Sequence, residues 1–245
     1  MSASSPHPRG SEPAGDAIDV SERGANRQQS DRRLFMQLHG FGGVRDAKPL
    51  VAALERARLE TVLYADVNDP LGVGLLAFAE DPTFFVTRLR DLLAAEPWAA
   101  LARKPALTML GRTYASGFEP DLDDWLLKRP RRTVLNPAWP WGIWYPLRRT
   151  GAFARLSREE QGAILREHAT IGRAYGEADL AHDVRLACHG LDAQDNDFVI
   201  GLVGHDLHPL SHLVQMMRKT AQTSQYIQSL GPFFIGRVVW QSAAG

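Results

Sequence analysis

The sequence predicts an α+β fold made of two ferredoxin-like modules, each of β–α–β–β–α–β order. Three observations lead there. Apolar runs of strand character alternate with segments of helical spacing along most of the chain. Both halves repeat one order, a strand, an Asp-started helix, then a strand carrying Gly-Arg: Leu110-Gly111-Arg112 in the first half, Ile235-Gly236-Arg237 in the second. The length, 245 residues, fits one large domain or two small ones at about 150 residues per domain.

Composition supports a globular chain. Hydrophobic residues make up 44% and charged residues 23%, which excludes a mostly disordered, collagen-like or disulfide-framework protein. Twenty-eight basic residues balance 28 acidic ones, so net charge gives no footprint for nucleic acid or an anionic membrane. Cys188 is the single cysteine, which rules out an intrachain disulfide and a cysteine-rich zinc site. No apolar run is long enough for a transmembrane helix, and the N-terminus lacks the apolar region of a signal peptide. A cytoplasmic protein is the expectation.

Residues 1–32 hold no aromatic residue and only seven apolar ones, too few to offset the entropy of ordering, so a disordered tail is expected. The N-terminal module is expected over residues 33–135 and the C-terminal one over residues 136–245. In the first, residues 34–40, 60–66, 73–79 and 106–114 read as strands. A helix over 47–58 buries Leu50, Ala53, Leu54 and Ala57, and Asp81-Pro82 opens another with Phe84, Phe85 and Leu89 on its buried face. The Gly-rich run His39-Gly-Phe-Gly-Gly43 lacks the spacing of a phosphate loop and reads as a turn.

Residues 117–149 hold five of the fifteen prolines and four of the six tryptophans. Arg129-Pro-Arg-Arg and Trp139-Pro-Trp-Gly-Ile-Trp-Tyr-Pro read as a long irregular connector, the kind that carries function. Beyond it, Ser157-Arg-Glu-Glu is a capping box for a helix to about Gly172. Residues 182–188 and 198–203 are strands, Asp206 starts a helix to about Gln222, and residues 232–240 form the last strand.

Most motif readings are plain ones. His205, His208 and His212 lack the glutamate of a zinc protease and read as solvated or capping groups. Cys188 and His189 are adjacent on a strand and face opposite ways, so Cys188 reads as a buried thiol. No Gly-x-Ser-x-Gly elbow is present. One constellation is more specific. His168 lies on the capped helix, and a neutral imidazole can ligate the iron of a porphyrin. Without Cys-x-x-Cys-His, any haem would be non-covalent. Trp139, Trp141, Trp144 and Tyr145 could wall a flat ring, while Arg131, Arg132, Arg148 and Arg149 could bind its propionates. A core-plus-surface reading accounts for the same residues one by one.

These motifs in order, Tyr145-Pro-Leu-Arg-Arg149, Ser157-Arg-Glu-Glu-Gln161, Glu167-His168-x-x-Ile171-Gly-Arg-x-Tyr175, Gly190-Leu-Asp, Asp197-Phe and Gly231-Pro-Phe-Phe-Ile-Gly-Arg237, resemble the chlorite dismutase family. The resemblance runs over about residues 33–242. It is strongest to the branch of coproheme decarboxylases, the hydrogen-peroxide-dependent haem synthases. It implies a dimeric α+β barrel of two ferredoxin-like halves, a homopentamer, and an iron porphyrin, haem b or coproheme, as cofactor. It implies His168 as the iron ligand and Tyr145 as the tyrosine that becomes a radical and attacks a propionate. Arg149 stands where the branch has the lysine of Tyr-Pro-Met-Ser-Lys, and it cannot shuttle a proton as lysine can. Tyr114, Arg131, Trp144 and Arg148 are the implied cofactor contacts.

In chlorite dismutases a distal arginine precedes Gly190. That place falls on Asp183 here, with Arg185 two residues on and on the same strand face. The family's carboxylate behind the iron-ligating histidine falls near Gln222. The implied function is a haem-dependent oxidoreductase, foremost the peroxide-dependent decarboxylation of coproheme to haem b. A chlorite dismutase or haem peroxidase using Arg185 is the alternative enzyme, and a haem-binding or haem-transfer protein without turnover the alternative class. Tyr145 favours the first, Arg185 the second.

Overall fold

The computed structural model describes residues 18–243. Eleven strands and eight α-helices follow in order. A short hairpin of β1 (Glu22–Arg23) and β2 (Gln29–Ser30) precedes the first module. That module runs β3 (Phe35–Gly42), α1 (Lys48–Ala57), β4 (Thr61–Asp66), β5 (Val73–Ala79), α2 (Thr83–Val86), α3 (Arg88–Ala94) and β6 (Ala102–Arg112). A π-helical turn over Asp124–Lys128 and α4 (Arg129–Val134) lead to the second. It runs β7 (Trp141–Arg149), α5 (Gly151–Ala154), α6 (Arg158–Glu177), β8 (His182–Ala187), β9 (Phe198–Gly204), α7 (Leu207–Met217), α8 (Ala221–Tyr226), β10 (Ile227–Leu230) and β11 (Phe234–Gln241).

The duplication is explicit in the pairing. The first module orders its strands β6-β3-β5-β4 and the second β11-β7-β9-β8, so each is a βαββαβ sheet with its first and third strands central. All the pairings are antiparallel. The two sheets join edge to edge, β4 to β11 and β6 to β8, and the ring closes into a barrel. Closure pairs the edges of β4 and β11 along their length and pins those of β6 and β8 at one point. The joins are unequal. β4 and β11 share a register from Gly236–Asp66 to Gln241–Val62. β6 and β8 touch only at Arg112–Ala187 before they diverge.

Period-two alternation divides the side chains into layers. One set fills the barrel: Leu34, Met36, Leu38, Tyr64, Phe78, Trp144, Val184, Leu186, Val199 and Phe234. The opposite face of the N-terminal sheet packs on α1 and α3 through Phe41, Leu50, Leu54, Leu89 and Trp98. The opposite face of the C-terminal sheet carries Ile143, Tyr145, Leu147, Phe198, Ile200 and Leu202, towards α6 and α7. Close packing inside the barrel needs glycine at Gly201, where a β-carbon would lie 2.4 Å from the Trp144 ring.

Several expectations are corrected. Residues 1–17 of the expected tail lie outside the described residues. Residues 22–30 are ordered, by polar contacts that an apolar count does not register. The Glu22 carboxylate accepts from Arg112 Nη1 at 2.8 Å and Ala115 N at 3.0 Å, and the Gln28 amide bonds Pro120 O and Leu122 N. The glycine-rich run is not a turn: its residues 39–42 form the end of β3, with Gly40 packed on Leu107.

The connector is also more regular than expected. Pro130 follows directly on the π-helical turn over Asp124–Lys128, whose widened backbone accommodates a residue without an N–H. Pro146 lies within β7 because the neighbour changes there. β11 pairs as far as Trp144 and β10 begins at Leu147, so no partner on that side requires its N–H. Two helices are broken. The one opened at Asp81-Pro82 is interrupted at Thr87, and the one after Asp206 stops at Met217 and restarts with Thr220 as the N-cap of α8. The capping box at Ser157 and Glu160 forms as expected, and α6 continues to Glu177.

Candidate active site between helix α6 and the C-terminal sheet

Helix α6 sets the geometry of the site. It is 20 residues long, yet none of its residues is fully buried. Gln161, Ile164, His168, Ile171 and Tyr175 form one stripe at helical spacing, and all are only half-buried. An amphipathic helix packed directly on a sheet would bury that stripe. Here Ile171 and Tyr175 touch the apolar cluster of Ile143, Tyr145, Leu147 and Leu202 on the outer face of the C-terminal sheet. The Asp183 charge acts on both His168 and Tyr145, so the cleft between helix and sheet is the space the candidate residues share.

His168 is anchored from behind. Its Nδ1 lies 3.3 Å from Thr220 Oγ1. The Thr220 hydroxyl donates its hydrogen to Met217 O at 2.8 Å, so it offers the imidazole a lone pair. That arrangement places the proton on Nδ1 and leaves Nε2 as a free donor of electrons. The preceding residue reinforces the contact, since Glu167 Oε2 accepts from Ala221 N at 2.9 Å. Two consecutive α6 residues thus grip the α7–α8 turn. Burial, then the nearby charges of Arg185 and Arg149, lower the His168 pKa to about 4, so the ring is neutral at neutral pH.

Tyr145 projects from β7 into the same space. It is 7% exposed and its ring stacks on Phe233 with centroids 4.6 Å apart. Burial, then the Asp183 charge, raises its pKa, so the phenol keeps its proton. Arg149, four residues on, projects to the same side of β7. Its guanidinium is sandwiched between Phe153 and Phe198, 4.6 Å from each centroid. Burial lowers its pKa, and its buried Nε has no hydrogen-bond partner among the described residues. A cation held this way is matched to an incoming anion.

The other wall forms where β6 and β8 part. Tyr114 stands two residues beyond β6 and lines one small cavity with Asp183 and Arg185 of β8. Tyr114 leans on Phe198, 5.6 Å between centroids, and burial raises its pKa against the opposing charges of Arg185 and Arg149. Asp183 and Arg185 share one strand face, as expected from their spacing, and Arg185 Nε meets Asp183 Oδ2 at 2.8 Å. Arg129 Nη2 meets the other Asp183 oxygen at 2.7 Å. Both arginines also lie over Trp125, at 4.5 and 5.1 Å. Burial pushes the Asp183 carboxyl up, but Arg185 and Arg129 together outweigh it and hold it below the usual carboxylate range.

The structure thus brings together Tyr114, Tyr145, Arg149, His168 and Arg185. It places Trp144, Arg148 and Arg131 elsewhere, and with them Arg132, tied to Asp124, and Trp139, stacked on His182. Trp144 is 0% exposed and fills the barrel interior, because it neighbours Tyr145 on a strand and faces the opposite way. Arg148, also on that side of β7, is tied to the 194–195 loop through Gln194 O and Asp195. Arg131 turns away to Glu60 at 3.0 Å and Glu80 at 3.5 Å. Arg129, two residues earlier, is the α4 arginine that reaches the site. Thr220, rather than Gln222, contacts His168. Cys188 is buried with its thiol pushed up to about 12, as a structural thiol should be.

Fold and site together define a duplicated ferredoxin-like barrel with a histidine-bearing cleft on its C-terminal half. The family profile described as chlorite dismutase matches residues 83–239. Among solved structures, the heme-binding protein from Thermus thermophilus aligns with a TM-score of 0.63 at 18% identity, over 84% of this chain and 93% of that one. The chlorite dismutase of Candidatus Nitrospira defluvii in complex with imidazole gives 0.64 at 16% identity, over 85% and 92%. A doubly substituted variant of that enzyme gives 0.66 at 14% identity, over 85% and 92%. A search of curated proteins gives no match. The chain belongs to the chlorite dismutase family.

Proposed function

We propose that this chain binds an iron porphyrin non-covalently in the cleft and catalyses the peroxide-dependent oxidative decarboxylation of coproheme to haem b. The observation that carries the reading is the meeting of a neutral His168 and a protonated, buried Tyr145 in one apolar cleft, with the Arg149 Nε unpaired beside them among the described residues. The residues suit the group. Nε2 of His168 is free for iron, the Ile143–Tyr145–Leu147 face suits a flat ring, and Arg149 suits a propionate. The porphyrin, when bound, supplies the oxidising power drawn from peroxide.

The protein's part is position and protons. Thr220 fixes the His168 tautomer. Tyr145 keeps its proton because its phenolate is disfavoured by burial, so it gives up proton and electron together. The resulting tyrosyl radical would take a hydrogen atom from the propionate β-carbon and so restore the phenol. The bond to the carboxylate would then break, carbon dioxide leaving and the vinyl group forming as a second electron passes to the oxidant, so that each propionate lost reduces one peroxide to two waters. Arg149 holds the carboxylate as a permanent cation without relaying a proton. The family resemblance adds a homopentamer to this reading.

The test is ferric coproheme added to the purified chain, titrated with hydrogen peroxide and followed by mass spectrometry beside Tyr145→Phe. Loss of two carbon dioxides that disappears in the variant supports the reading, and a halt after one assigns the second step to the missing lysine. Tight binding with no mass change overturns it. One observation favours a second reading in that event: Arg185, held by Asp183 at the cleft, suits an oxyanion such as chlorite, and oxygen release from chlorite that is lost in Arg185→Gln would establish it.

A further inference from the structure

Outside the cleft, a cavity of about 480 Å³ opens beside the end of the barrel where β7 and β8 begin. That volume lies within the range of small-molecule sites. One wall is flat and apolar. The Trp139 and His182 rings stack with centroids 3.5 Å apart and planes 15° from parallel, and Leu135 adjoins them. The other wall is made of donors. Arg129 uses Nη2 on Asp183, and its Nε and Nη1 have no hydrogen-bond partner among the described residues. Asn136 Oδ1 accepts from Ala138 N at 3.0 Å, which orients the amide and leaves its NH₂ free. Arg132 is forked onto Asp124, and His182 is held by Asp179 at 2.7 Å. Among the described residues no carboxylate lines the cavity itself. The donors are therefore fixed from behind, while the space in front of them lacks an acceptor.

We propose that this cavity binds a small organic acid, its carboxylate on Arg129 and Asn136 and its flat apolar body against Trp139 and His182. Arg129 is also the link to the cleft, because it lines a second, smaller cavity with Tyr114, Trp125, Asp183 and Arg185. The acid and Asp183 compete for one guanidinium. Asp183 is shared in turn with Arg185, so occupancy of the cavity and the charge arrangement at the cleft are linked, and the linkage is reciprocal.

The test uses the full chain without added porphyrin, with benzoate and its uncharged isostere benzamide as probes, in calorimetry and saturation-transfer NMR. Benzoate should bind, and benzamide about tenfold more weakly or worse, since a charge-assisted pair is at stake. Arg129→Gln should weaken benzoate about tenfold. Asp183→Asn, which releases Arg129, should strengthen it about threefold or more. Asn136→Ala, away from every ion pair, should weaken it about threefold and serves as the variant whose fold is not in question. Equal binding of the two probes, or a benzoate affinity unmoved by Arg129→Gln, Asp183→Asn and Asn136→Ala, would overturn the proposal. Inorganic phosphate binding as tightly as benzoate would overturn the assignment of a flat apolar body. No porphyrin takes part, so failure here and failure of the coproheme assay are separate results.

Discussion

Replacing Thr220 by valine tests the anchoring of His168 with little change in volume. The valine keeps the shape and removes the acceptor for Nδ1–H and the cap of α8 in one step. Two local costs follow. A half-buried imidazole N–H left without an acceptor costs about 1–3 kcal/mol, and loss of a threonine N-cap costs about 1 kcal/mol. Partial solvation of His168 discounts the first figure, so a total of about 2 kcal/mol is expected in urea unfolding of the porphyrin-free chain.

The functional effect is larger. A freed ring rotates and can present either nitrogen to iron, and loss of such an outer contact typically lowers metal affinity about 10- to 100-fold. The assay is titration of ferric porphyrin by Soret absorbance, for the wild type, Thr220→Val and Thr220→Ser. Serine keeps the hydroxyl and should stay within about threefold of the wild type. If valine and serine behave alike, or if valine binds porphyrin as the wild type does, the hydroxyl does not orient His168 and the reasoning is wrong.

Three further outcomes follow from the same structure. His39 and His168 are both depressed to about 4, chiefly by burial, so the fold favours their neutral forms. They add no pH dependence above about 6.5, and stability falls as pH drops from 6.5 towards 4, by about 1–3 kcal/mol for each. Urea midpoints between pH 7 and 4.5 should therefore fall less steeply in His168→Gln, and an identical slope would contradict the assignment. Gly201→Ala forces a β-carbon into the Trp144 ring and should cost about 1–3 kcal/mol in thermal unfolding; a neutral result would mean that the barrel interior is looser than described. Cys188, buried with a raised pKa, should react with a disulfide reagent only after denaturant is added, and labelling of the native chain would count against its packing.

Much of the architecture was legible from period and order. The repeated Gly-Arg strands identified the duplication, and the spacing of Asp183 and Arg185 put them on one face before their ion pair was visible. The same parity argument, applied to Trp144 and Tyr145, separates them, because neighbours on a strand cannot both line one cleft. Pro140 and Pro146 mask the strand period over residues 139–146, so the parity is not visible there. The reason Pro146 is tolerated, a change of neighbour from β11 to β10, is a property of the closed sheet and not of the local sequence. Arg129 and Arg131 are chemically equivalent in Arg129-Pro-Arg-Arg, and only the long-range positions of Asp183 and Glu60 decide which reaches the cleft. Thr220 was hidden for a related reason. The expected helix ran through it, whereas it caps a new one.

Everything proposed for the cleft between α6 and the C-terminal sheet rests on His168 as the iron ligand. The direct measurement is resonance Raman of the ferrous porphyrin-loaded chain, comparing the wild type with His168→Ala supplemented with free imidazole. The prediction is an iron–histidine stretch in the wild type that is lost in the variant and returns, shifted, when imidazole is added. A stretch unchanged in His168→Ala would show that another residue holds the iron, and the cleft described here would not be the active site.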